Sequence, residues 1–151
     1  MTDFFEFEAD FVDSLRCIPM VVRLKLDSCG VKLKLAEWNH FTQSECEELV
    51  TLPCAESGEI SAYRNYVSGL IFNHTGNQAS LLSIDPDPAW LNQQEIPLAV
   101  QSKIAEEKLE LTLAQWINLT PLQRFALIKL TRSQHENSNF LPALSEFGLI
   151  G

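Results

Sequence analysis

Four cysteines are the side chains best suited to chemistry, and all lie in the first 54 residues: Cys17, Cys29, Cys46 and Cys54. Thiolates bind soft metals and attack disulfides, so such a set is first tested as a metal or redox centre. The spacing does not suit the common sites. Eleven, sixteen and seven residues separate successive cysteines. No C-x2-C pair occurs, which excludes a zinc knuckle or an iron–sulfur run. Two readings stay open. The cysteines are small buried hydrophobes, or Cys17, Cys29 and Cys54 form a metal or thiol centre of unusual spacing.

The histidines His40, His74 and His135 show no H-x3-H or H-E-x-x-H spacing. No G-x-S-x-G, Walker A or G-x-G-x-x-G sequence is present. Asp85-Pro86-Asp87-Pro88 pairs two carboxylates, but the prolines at that spacing read as a rigid turn. With no catalytic constellation and no cofactor motif, the sequence reads as a non-enzyme that needs no cofactor. Binding function has better candidates. Arg132, His135, Glu136 and Asn137 belong to a polar stretch between helical patterns, where function often resides. At the N-terminus, Phe4, Phe5 and Phe7 alternate with acids. Such a strip either covers an apolar groove on its own body or presents aromatics to a partner.

Charge narrows the partner class. Eleven basic and twenty acidic residues give a net charge of −9, so a phosphate-binding footprint is not expected and nucleic acid is not an expected partner. No apolar run reaches the ~18 residues that span a bilayer. MTDFFEFEADF is acidic where a secretory signal is basic and then apolar. The sequence therefore reads as cytoplasmic, with reduced thiols. At 151 residues it reads as one domain over 1–151.

An internal repeat supplies the elements that must position these groups. Residues 18–52 align without a gap on 96–130, an offset of 78, with eleven of 35 positions identical. The identities include Pro19 and Pro97, Leu33 and Leu111, Trp38 and Trp116, and Thr42 and Thr120. The shared positions are mostly apolar, so the repeat describes a packing scheme. The cysteines are not shared: Glu95, Glu107, Arg124 and Arg132 stand in their places.

The fold expected is all-α: an internally duplicated helical domain of two roughly four-helix units. Repeat A covers about 18–75, a linker 76–95 and repeat B about 96–148. Pro19 and Pro97 suit a first helical turn, and Gly30 suits a helix stop. Thr42 with Glu45, and Thr120 with Gln123, have capping-box spacing. A long helix runs from Ser57 to about His74, stopped by Gly76. Another runs from about Asn137 to Phe147, with Pro142 forcing a late start or a kink. Residues 31–35 and 109–113 alternate apolar and polar. They are either extended linkers, the favoured reading, or a very short β-pair.

Three blocks then carry a resemblance: FFEFEADFVDSLRCIPMVVRLKLDSCGVKLKLAEW at 4–38, LPC at 52–54, and LTPLQRFALIKLTRSQHENSNFLPAL at 119–144. Together they resemble the cyanobacterial nitrate reductase-associated protein family, also described as nitrate reductase maturation proteins. The resemblance implies a soluble accessory factor needed for active assimilatory nitrate reductase. Its implied partner is the apo-enzyme or a molybdenum-cofactor delivery protein. The alternative reading is a metal, iron–sulfur or thiol-handling protein that uses the cysteines of the first half.

Overall fold

The computed structural model describes residues 4–9, 17–132 and 138–150. These fall into two compact units. Unit 1 holds Phe4 and Glu8–Asp85; unit 2 holds Phe5–Phe7 and residues 86–150. The structure is mostly helical with one short antiparallel sheet. Among the described residues, no helix is long and apolar enough to cross a membrane.

Unit 1 contains α1 (Met20–Cys29), β1 (Val31–Lys32), α2 (Leu35–Trp38), α3 (Gln43–Thr51), α4 (Ser57–Thr75) and β2 (Ser80–Leu81). Helix ends follow local chemistry. Gly30 stops α1 in the left-handed conformation at φ 78°, its N–H donating to the Leu26 carbonyl. Thr42 and Glu45 form the expected reciprocal cap on α3. Gly76 ends α4 at φ 75°. The core gathers Val22, Leu26 and Cys29 from α1, Trp38 from α2, Leu49 and Val50 from α3, and Tyr63, Val67 and Ile71 from α4.

Unit 2 contains a 3-10 turn at Ala89–Leu91, then α5 (Leu98–Glu106), α6 (Leu113–Asn118), α7 (Pro121–Leu130) and α8 (Phe140–Glu146). The front three helices of each unit begin 78 residues apart: Met20 and Leu98, Leu35 and Leu113, Gln43 and Pro121. Burial follows the same offset at Trp38 and Trp116, Leu26 and Ile104, and Leu49 and Leu127. It breaks at the first helical residue, where Met20 is 4% exposed and Leu98 is 76% exposed.

Three sequence expectations need correction or refinement. The β-pair does not join 31–35 to 109–113. Val31 faces Leu81 and Lys32 faces Ser80, so the partner strand comes from the stretch read as linker. Gly30 makes this possible: its left-handed turn leaves its carbonyl open to the Leu82 N–H at 2.8 Å. Pro19 and Pro97 stand one place before their helices with extended ψ, at 153° and 143°. They are caps, not first-turn residues. Finally, α8 starts at Phe140, so Pro142 falls in its first turn, where a missing N–H is harmless. The Asn137 cap lies outside the described residues.

Candidate functional site

Unit 1 brings two of the candidate cysteines together. Cys29 is the last residue of α1 and is fully buried; Cys54 follows α3 and is half-buried. Each thiol lies near a carbonyl of α1, Cys29 Sγ 3.6 Å from Leu26 O and Cys54 Sγ 3.5 Å from Lys25 O. The two side chains also hydrogen bond to one another. That bond is the main cause of opposite shifts: it lowers the Cys29 pKa and raises that of Cys54. Burial opposes the shift at Cys29, and Arg64 adds a smaller lowering effect.

The surroundings of the pair hold helices together. Lys25 Nζ donates to the carbonyls of Val50 and Leu52, each at 2.6 Å. This ties α1 to the C-terminal end of α3, where exposed carbonyls attract a cation. Tyr63 donates its hydroxyl to Leu49 O at 2.7 Å, and the Lys25 ammonium lies 5.9 Å from the Tyr63 ring centre. Among the described residues, no three His, Cys, Asp or Glu side chains gather into a group that could hold a metal ion. Cys17 is half-buried and does not complete such a group with Cys29 and Cys54.

The N-terminal aromatics divide between the units. Phe4 packs against the core of unit 1. Phe5 and Phe7 belong to unit 2, where their rings stack at 5.3 Å. Phe147 meets Phe5 at 5.1 Å and Phe7 at 6.3 Å. The carboxylate of Glu146 accepts from the backbone N–H of both Glu6 and Phe7 at 3.0 Å. Glu8 does similar work in unit 1: it is buried, and its carboxylate accepts from the Met20 N–H at 3.1 Å, at the start of α1. Phe4 and Glu8 are thus held within unit 1, and Phe5–Phe7 within unit 2. The acid-aromatic alternation pointed to contact but could not show that Glu146 and Phe147 provide it.

Arg132 is exposed just after α7. His135, Glu136 and Asn137 lie outside the described residues. Unit 2 has a further feature, an open groove of about 570 Å³ walled by Ile96, Ile104, Leu109, Leu111 and Leu113, with Glu95 and Glu110 beside them. Leu91, Leu98, Leu113 and Ile117 of the same unit are exposed. The sequence signal for this groove is the apolar–polar alternation in 109–113.

The family described as conserved nitrate reductase-associated protein matches residues 4–147. No curated protein and no solved structure matches the chain.

Proposed function

Because the chain belongs to the conserved nitrate reductase-associated protein family, we propose that it is a soluble, cytoplasmic accessory factor for assimilatory nitrate reductase. It acts by protein–protein contact, with the apo-enzyme or with the machinery that delivers its molybdenum cofactor, and it is not itself a catalyst. The family match over 4–147 carries this reading. Two physical features support it. Leu91, Leu98, Leu113 and Ile117 of unit 2 are exposed, and exposed apolar side chains are available to a partner. A net charge of −9 favours encounter with a basic face and selects among partners.

The correspondence at 78 residues belongs to this proposal as well. We read the two front helical arrays as copies of one ancestral unit that kept its buried positions and let the surface diverge. Only unit 1 carries the thiols, and at the first helical position unit 1 covers Met20 where unit 2 exposes Leu98.

The test is a deletion strain grown on nitrate, complemented by the tagged chain, with crosslinking and mass spectrometry of what it holds. Restored nitrate reductase activity with the reductase or a molybdenum-cofactor enzyme captured is the expected result. Capture of neither under crosslinking rejects direct contact.

A further inference from the structure

We propose that the open edge at Glu110–Leu111 in unit 2 docks one extended segment of a partner protein, which adds to it as an antiparallel strand. The segment is apolar at alternate positions and carries Lys or Arg between them. The proposal rests on the accessory reading and specifies how its contact is made.

The argument begins with the same stretch in unit 1. There the chain leaves α1 through left-handed Gly30 and is at once paired, Val31 with Leu81 and Lys32 with Ser80. Seventy-eight residues later the chain leaves α5 through Lys108, also left-handed at φ 59°. The Leu109 N–H closes the turn on the Ile104 carbonyl at 3.0 Å. No strand follows. Leu109 and Leu111 are half-buried, Glu110 between them is exposed, and Thr112 is extended at φ −86°, ψ 157°. This is the period of a strand with one face on a core. Among the described residues, no hydrogen bond reaches the backbone N–H or carbonyl of Glu110 or Leu111. An unpaired strand-like edge is a template for a further strand.

Side chains beside the edge define the occupant. The groove formed by Ile96, Ile104, Leu109 and Leu111 accepts apolar groups from alternate residues of an added strand. The charged residues lining it, Glu95 and Glu110, are both acidic and both exposed. They suit Lys or Arg at the intervening positions. A second copy of this chain fits less well, because antiparallel self-pairing brings Glu110 toward Glu110, and like charges across strands repel.

The full chain is titrated with the whole reductase and with short overlapping peptides that tile it, while amide exchange is followed on the chain. At least one apolar–basic peptide is expected to bind and to slow exchange at Glu110 and Leu111. The double variant Glu95→Lys, Glu110→Lys is expected to weaken that binding roughly tenfold, on the order of 1.4 kcal/mol, with its melting temperature unchanged. Both replaced residues are exposed, and the exchange measurement on the unaltered chain stands independently of the variant. Peptide binding that leaves these amides unprotected, or that ignores the double variant, overturns the proposal. If the reductase binds but no peptide protects this edge, the docking mode is wrong and the accessory reading survives. If neither binds, the proposal falls, and the accessory reading keeps only contact with the cofactor-delivery machinery. Self-association that protects the same amides assigns the edge to a second copy and also overturns the proposal.

Discussion

Gly30 and Lys108 hold the same left-handed backbone, at φ 78° and 59°, but a strand passes over only one of them. A Cβ built on Gly30 would lie 2.8 Å from Ile84 Cγ1 and 3.0 Å from the Leu82 carbonyl oxygen. Glycine is required there by conformation and by space. Lys108 is exposed, so a side chain fits and only the conformational cost remains. An L-residue other than glycine pays about 1–2 kcal/mol for that conformation.

Exchanging the residue types should therefore act in opposite directions. Lys108→Gly is expected to stabilise by about 1 kcal/mol, less than the full conformational term because glycine also loosens the unfolded chain. Gly30→Ala is expected to destabilise by at least about 2 kcal/mol, through the same conformational term plus overpacking against Ile84. Urea midpoints with unchanged slopes would show it; equal effects of the same sign would refute it.

Trp38 and Trp116 are 1% and 0% exposed. Replacing either with Ala is expected to cost about 3–5 kcal/mol. At Trp116 a milder change isolates one bond. Trp116 Nε1 donates to the Asn92 carbonyl at 3.0 Å, so Trp116→Phe loses a hydrogen bond worth about 0.5–1.5 kcal/mol as well as volume. Thermal unfolding of Trp116→Phe and Trp116→Ala reads the difference.

Glu146 is expected to hold the N-terminal segment. Replacing it with Ala strands the Glu6 and Phe7 N–H groups that it now accepts and loosens the Phe5–Phe7–Phe147 cluster. Faster amide exchange at Glu6 and Phe7, with a loss of about 1–2 kcal/mol, is the expected result. Exchange unchanged from the parent chain would mean that ring packing alone holds the segment. Glu146→Gln should recover part of the effect, since its amide oxygen can still accept.

Alkaline pH should weaken unit 1 through Cys46. Burial first, then the neighbouring carboxylates Glu45 and Glu47, push its thiol from 9.0 up to about 11. Between those values the folded chain keeps a proton that the unfolded chain has released. Stability is then fully present below pH 9 and is lost as pH rises toward 11, by at most about 2.7 kcal/mol. Cys46→Ala should flatten the slope over that window in denaturant titrations. Some slope should persist, because Tyr63, chiefly by burial, and Cys54, chiefly by its bond to Cys29, are shifted the same way. An identical slope in Cys46→Ala would reject the assignment.

The sequence by itself determined several helix ends. Thr42 with Glu45, Thr120 with Gln123, Gly30 and Gly76 act through hydrogen bonds to groups within a few residues, and such bonds are written locally. It also determined which apolar positions form each core, since Trp38, Leu49, Trp116 and Leu127 repeat with the period of the helices that bury them. Tertiary structure decided the rest. The strand opposite Val31 comes from Ser80–Leu81, fifty residues along, and five alternating residues carry no address for a partner. Cys29 meets Cys54 because Lys25 fastens α1 to the end of α3, a contact that cysteine spacing does not encode. Arg124 is buried at the place where unit 1 buries Cys46, with Nε and Nη1 unpaired, against every expectation of residue type. Leu98 is exposed where Met20 is covered. In each case the deciding energy lies in a contact between distant residues, and a hydrophobic pattern states only that a side chain seeks cover, not what supplies it.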